Sequence, residues 1–281
     1  MRLALFLLVL AGGVLAGCAS APPLAEGPER EVRASGRFVS LDGGERTIGG
    51  YGLRVVLAAR HARDGRWDAL SPAPVATDER GAFAFAFATR LDLSAYDSLA
   101  AFALADGIAV RFSPRGAVRV RSASGDGGIA FPHGARVAFP GDPAASGARG
   151  PMEAPVLGGA LPPEVGTTAR YAMLGRELAF DLYGGSPPFD LPPVRVRFGE
   201  SGGFRFQPFD PGKLGGTQIE INRTRRLTPD VVAHEYGHYL SYRMWGSAWW
   251  RYVLRSKRLR EGWALFYSFA TRAYAAQTYD D

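Results

Sequence analysis

The chain has 281 residues, enough for two modest domains, and 47% of them are apolar, so each can bury a core. Its formal charge of +6 comes almost wholly from arginine, and no Lys/Arg block or nucleic-acid module accompanies it, which excludes nucleic acid as an expected partner. One cysteine, Cys18, excludes a disulfide framework.

The positive balance suits acidic surfaces such as anionic lipid or envelope polymers, or reflects only an arginine-preferring, GC-rich genome. The N-terminus reads as a targeting segment. Arg2 gives a short positive start, Leu3 to Leu10 an apolar run, and small residues follow. Leu15-Ala16-Gly17-Cys18 resembles the bacterial lipoprotein signal. That resemblance implies removal of residues 1–17, lipidation of Cys18, and anchoring to a membrane through the attached chains. Ala19, rather than Asp, follows the cysteine, which resembles the outer-membrane sorting pattern of Gram-negative bacteria. The other reading is an ordinary signal peptide, or an uncleaved anchor, with a coincidental Cys18. No later stretch reaches the length of a membrane span. Residues 18–31 are rich in Ala, Pro and Glu and read as a flexible tether.

Residues 32–140 carry an all-β pattern. Val32 to Ser40 is a candidate strand, Asp42-Gly43-Gly44 a turn, Leu53 to Ala59 a core strand, and Asp64-Gly65 another turn. After Thr77-Asp78-Glu79-Arg80-Gly81, Phe83, Phe85 and Phe87 alternate with Ala, so all three project from one face towards an opposing sheet. Leu99 to Phe112 and Ala117 to Arg121 supply further strands. The Thr-Asp-x-x-Gly-x-Phe-x-Phe run resembles the carboxypeptidase-regulatory or transthyretin-like β-sandwich, with another Ig-like sandwich as the alternative. His61 and His133 sit beside turn residues and read as loop histidines rather than ligands.

Residues 141–155, rich in Gly, Ala and Pro, read as an interdomain linker. In residues 156–281, Pro162-Pro163 and Gly166-Thr167 precede a helix with Tyr171, Leu174, Leu178 and Leu182 on one face, ended by Gly184-Gly185. Strands are expected at Val194 to Phe198, Phe204 to Phe206 and Thr217 to Ile221. Thr228 suits a helix N-cap, Pro229 the first helical position, and Asp230 the positive helix end.

That helix carries His234-Glu235-Tyr236-Gly237-His238. Positions i and i+4 share a face, so the two imidazoles project side by side as metal ligands. Glu235 stands beside the metal as a general base. Gly237, costly in a helix interior by about 1 kcal/mol relative to Ala, suggests close approach of another element. After His238 there is no His or Cys, and the acids are Glu261, Asp280 and Asp281, so Glu261 is the third ligand almost by elimination. It lies in Leu259-Arg260-Glu261-Gly262-Trp263-Ala264. There Leu259, Trp263, Phe266, Ala270 and Tyr274 recur at helical spacing, and Gly262 offers room for helix contact. His and Glu ligation points to Zn²⁺ without excluding other divalent metals.

This arrangement resembles the gluzincin metallopeptidases, in which HExxH is followed by a Glu ligand on the next helix. Glu261-Gly262-Trp263-Ala264 resembles the run around that ligand in the aminopeptidase-like branch. Ser241 and Met244 depart from the metzincin pattern, Leu265 departs from the thermolysin second shell, and Arg260 replaces the aminopeptidase Asn. The resemblance covers about the last half of the chain. It implies a multidomain protein, an all-β sandwich followed by an α+β zincin-like metallopeptidase domain. It also implies a peptide or protein substrate adding to an edge strand, for which Gly216 to Ile221 is the candidate, and an oxyanion donor, left unassigned, for which Tyr267, Tyr274 and Tyr279 are the downstream candidates and helix packing their other role. Only 20 residues follow Glu261. The family's cleft-closing C-terminal subdomain therefore implies a minimal member or a chain that continues. Two other functions fit the same residues: a non-catalytic envelope lipoprotein that binds or scaffolds, and a zinc amidase acting on cell-wall crosslinks.

Overall fold

The computed structural model describes residues 26–42, 46–113, 117–122, 128–130, 136–138, 152–153, 156–199, 203–208, 217–222, 227–253 and 255–279. The targeting segment with Cys18, His133 and most of the expected linker lie outside the described residues.

Strands come first in the chain: β1 (Glu26–Asp42), β2 (Arg46–Gly49), β3 (Arg54–His61), β4 (Trp67–Ala69), β5 (Val75–Ala76), β6 (Ala82–Leu91), β7 (Tyr96–Ala103), β8 (Val110–Phe112), β9 (Val118–Arg121), β10 (Gly128–Ala130), β11 (Arg136–Ala138), β12 (Met152–Glu153) and β13 (Leu157–Ala160). Helix α1 (Pro163–Leu182) follows, then β14 (Val194–Gly199), β15 (Arg205–Gln207) and β16 (Gln218–Asn222), then α2 (Pro229–Trp245) and α3 (Lys257–Tyr279). A π-helical turn, Trp249–Val253, joins the last two helices. The architecture is mixed α/β with open sheets and substantial strand content. Among the described residues, no helix is long and apolar enough to cross a membrane.

One sheet is centred on β1, which pairs antiparallel with β2 and β6 and parallel with β12 and β13. A second runs β10-β9-β4-β3-β7-β11, with β5 beside β3. Alternation along the strands sorts their side chains as the pleat requires. Val32, Ala34 and Phe38 of β1 and Phe83 and Phe85 of β6 meet Val55, Leu57 and Ala59 of β3 in one core. Phe38 stacks on Phe83 at 5.5 Å between centroids. Val56 and Ala58, one residue out of phase, face the other way into a smaller cluster with Trp67 and Phe102. The Phe stripe is thus core, although Phe87 at its end is only half-buried.

Several boundaries differ from the sequence expectation. β1 begins at Glu26, inside the expected tether, because residues 30–37 pair with β6. The expected strand from Leu99 to Phe112 is two strands, and β8 leaves the second sheet altogether. It pairs parallel with β14 in a third sheet of order β15-β16-β14-β8. Helix α1 starts at Pro163, so Gly166 and Thr167 lie inside it. Proline is tolerated in the first turn, where its missing N–H costs nothing. Gly184 and Gly185, with φ of 62° and 88°, follow the end of α1 where a side chain would be strained. Helix α1 also packs on β1, and the apolar core is continuous from Val32 through Leu174 to Tyr239 and Tyr267. The sequence linker at 141–155 therefore does not divide the core in two.

Candidate metal centre

Helix α2 begins as its sequence suggests. Thr228 occupies the N-cap position in extended backbone and Pro229 opens the helix, but the Thr228 hydroxyl makes no capping bond. The helix ends at Gly246, with φ of 52°. Val232, Ala233, Tyr236, Tyr239 and Leu240 are buried, which seats the helix between α1, α3 and the third sheet. Each large side chain so buried contributes roughly 1.5–3 kcal/mol. Buried Trp249 donates its Nε1–H to Ser241 Oγ at 3.0 Å, pinning the following turn against the helix end.

Helix α3 runs antiparallel to α2. Ser268 donates to the carbonyl of Asp230, Arg272 pairs with the Asp230 carboxylate, and Ala264 and Tyr267 cover Gly237. A β-carbon on Gly237 would lie 3.0 Å from Tyr267 Cβ and 3.2 Å from Ala264 Cα. The expectation of a neighbouring helix at Gly237 is met, and the expectation for Gly262 is not. A β-carbon on Gly262 meets no atom within 4 Å, because that residue faces outwards. The expected apolar stripe is also rotated. Ala264, Tyr267, Ser268, Thr271 and Ala275 are buried against α2 and α1, whereas Leu259 and Phe266 are exposed.

The antiparallel packing brings His234, His238 and Glu261 together. Their rings and carboxylate offer ligand atoms within 4.8 Å of one another. The two imidazoles stand 4.7 Å apart and nearly perpendicular. Glu261 Oε2 lies 3.3 Å from His234 Nε2 and 3.4 Å from His238 Nε2. These separations exceed a charge-assisted N–H···O bond of about 2.7–2.9 Å. They match the edge of a tetrahedron whose ligands sit about 2.0–2.1 Å from a central zinc, an edge of roughly 3.3–3.4 Å. The donor set therefore fits Zn²⁺.

The carboxylate of Glu261 is divided between two tasks. Oε2 faces the histidines while Oε1 accepts from Arg260 Nε at 3.0 Å. Burial raises the Glu261 pKa, but the Arg260 hydrogen bond and the charges of His238, Arg260 and His234 bring it below the usual value. Burial lowers His238 to about 4, helped by the neighbouring His234. That histidine is neutral near pH 7, the form that ligates.

Glu235 is buried beside the ligands. Burial pushes its carboxyl up to about 7, the backbone N–H of Phe206 on β15 opposes this by donating to it, and the Glu261 charge adds to the rise. Its Oε2 is buried without a protein partner. A carboxylate near 7, with one oxygen held and one free, is poised to take up and release a proton near neutral pH.

The structure corrects one further expectation and decides between two roles for the C-terminal tyrosines. β16 is not an edge, since β14 flanks it on one side and β15 on the other; among the described residues the sheet ends at β15, Arg205–Gln207, and at β8. Gly216, the first residue of the expected edge segment, lies outside the described residues. Nor does any of the three tyrosines face the centre. Tyr267 donates to Gly175 O, Tyr279 to Glu177, and Tyr274 to Asp181, so all three tie α3 to α1. The Phe206 contact was invisible to sequence reasoning because it uses a backbone N–H on a three-residue strand. His61, at the end of β3, sits by Asp64 and edge-on to Tyr96.

Comparison with known proteins leaves this geometry to stand alone: no family model, curated protein or solved structure matches the chain.

Proposed function

We propose that the chain is a zinc-dependent peptidase of the cell envelope, carried there by a lipidated Cys18. On this reading an N-terminal β-sandwich precedes a zincin-like catalytic part. The observation that carries the proposal is Glu235, buried with a free Oε2 next to His234, His238 and Glu261, whose carboxylate stands from both imidazoles at the spacing of a tetrahedral edge.

His234, His238 and Glu261 would hold the metal. Bound there, Zn²⁺ would act as a Lewis acid that polarises a carbonyl and brings the pKa of water towards about 7. Glu235 takes the proton from the attacking water at Oε2 as the new C–O bond forms. As the C–N bond breaks, Glu235 returns that proton to the departing amine, so the carboxylate is regenerated. Phe206 N–H fixes the other oxygen throughout. An extended peptide would add to the side of β15 that no described strand pairs, on the strand that already touches Glu235.

The test has two stages. The first measures the zinc content of the purified chain alongside Glu261→Ala. About one zinc per chain, lost or much weakened in the variant, supports the ligand set. The second compares casein and peptide cleavage with Glu235→Gln. Loss of cleavage by orders of magnitude with zinc still bound is expected. A native chain that takes up no zinc from supplemented buffer would overturn the proposal. So would unchanged activity in Glu235→Gln.

A further inference from the structure

The outward face of α3 has no partner among the described residues. At 100° per residue, Arg258, Leu265, Phe269 and Ala276 share one line along the helix, and Leu259, Phe266 and Ala273 share the adjoining one. Leu259, Leu265, Phe266 and Phe269 are 45, 52, 58 and 62% exposed. Single exposed apolar residues are ordinary, but a contiguous run on one helix face is not.

The run continues sideways. Phe266 touches Trp263, with ring centroids 6.1 Å apart. Trp263 in turn lines a recess of about 270 Å³ with Leu182, Tyr183, Phe189 and Met244. An exposed apolar ridge thus leads into an apolar pocket wide enough for part of an acyl chain. Trp245, at the end of α2, and Trp250, in the π-helical turn that follows, are also exposed.

The charge around this ridge has one sign. Arg251, Arg255, Lys257 and Arg258 are all exposed at the N-terminal end of α3. Between Asp230 and Asp280 the acids are Glu235 and Glu261, both part of the metal centre. The acids that border the face are engaged: Asp230 pairs with Arg272 at 3.0 Å, and Asp181 accepts from the Tyr274 hydroxyl.

We propose that this face docks on an anionic phospholipid bilayer. Leu and Phe side chains would enter the acyl boundary, the tryptophans would lie at headgroup depth, and the four cations would meet the phosphates. A protein partner would account for the ridge but would leave the cation cluster without a role. The contact is independent of the peptidase reading and distinct from lipidation at Cys18. Glu261 lies on the same helix, so docking brings the metal centre to the bilayer surface.

The test uses the full chain bearing Cys18→Ser, mixed with vesicles of phosphatidylcholine alone or with phosphatidylglycerol, each containing brominated lipid. The readout is quenching of tryptophan fluorescence. The N-terminal segment has no tryptophan, so the signal does not come from it. Quenching should require phosphatidylglycerol and fall as salt rises. The exposed pair Phe266→Glu/Phe269→Glu and the exposed pair Arg255→Glu/Arg258→Glu should each weaken vesicle binding about tenfold or more. Circular dichroism should leave both variants folded as the parent. Equal binding by parent and variants would overturn the proposal, as would equal quenching on pure phosphatidylcholine. A dimer in vesicle-free solution that Phe266→Glu/Phe269→Glu dissociates would assign the face to a second copy instead.

Discussion

Replacing Gly237 by alanine tests whether helix packing sets the metal site. Two effects oppose each other. Alanine is favoured over glycine in a helix interior by about 1 kcal/mol. Against this, the added β-carbon would sit 3.0 Å from Tyr267 Cβ, 3.2 Å from Ala264 Cα and 3.3 Å from Ala264 O. Carbon atoms pack best at about 3.5–4.0 Å, so α3 must retreat by several tenths of an ångström. Two of the obstructing atoms are backbone and cannot rotate aside. Overpacking of this kind costs about 1–3 kcal/mol, so the net change should be a loss of about 1 kcal/mol. Glu261 lies one helical turn before Ala264, and its 3.3 and 3.4 Å separations from the histidines would widen with the retreat. Metal ligation tolerates only about 0.2 Å, so zinc affinity should fall about tenfold or more. Gly262→Ala is the matched control. With no atom within 4 Å of its β-carbon, it should gain up to about 1 kcal/mol and leave the centre in place. Urea unfolding of chelator-treated protein and competitive zinc titration read the two quantities. If Gly237→Ala is as stabilising as Gly262→Ala and binds zinc as the parent does, the packing account is wrong.

Two other outcomes follow from the charged groups. Arg260→Gln frees Glu261 Oε1 from its 3.0 Å contact, and competitive titration should show zinc binding weakened by about tenfold. Tighter binding would mean that repulsion between the guanidinium and the cation outweighs positioning. In metal-free protein, Glu235 and His238 pull stability in opposite directions with pH. Glu235, raised from 4.5 to about 7, contributes stability that is full below pH 4.5 and lost as pH passes about 7. His238, lowered from 6.5 to about 4, contributes stability present above pH 6.5 and lost as pH falls through about 4. Each amounts to about 3 kcal/mol, so between pH 4.5 and 6.5 they nearly cancel. Urea unfolding should show stability rising with pH over that window in Glu235→Gln and falling in His238→Gln. Equal slopes in the two variants would show that these groups do not control it.

Some of this was legible without coordinates. The pairing of His234 with His238 follows from the pitch of a helix, a local property. Glu261 was legible because so few ligating side chains remain after His238. The Phe83–Phe85 face followed from the two-residue repeat of a strand. In each case the deciding interaction spans a few residues or a short inventory. The third sheet did not follow, because β8 reaches β14 across about eighty residues of sequence and its three residues carry no pairing signal. Nor did the edge at β15, since which strand ends a sheet depends on chain crossings rather than composition. The face of α3 was misjudged for a clearer reason. Large apolar residues mark a face that can be buried, whereas close packing on α2 selects the small ones, Ala264, Ser268 and Thr271. Tertiary contact, not hydrophobicity, turned that helix so that Glu261 meets the histidines and Phe266 and Phe269 meet solvent.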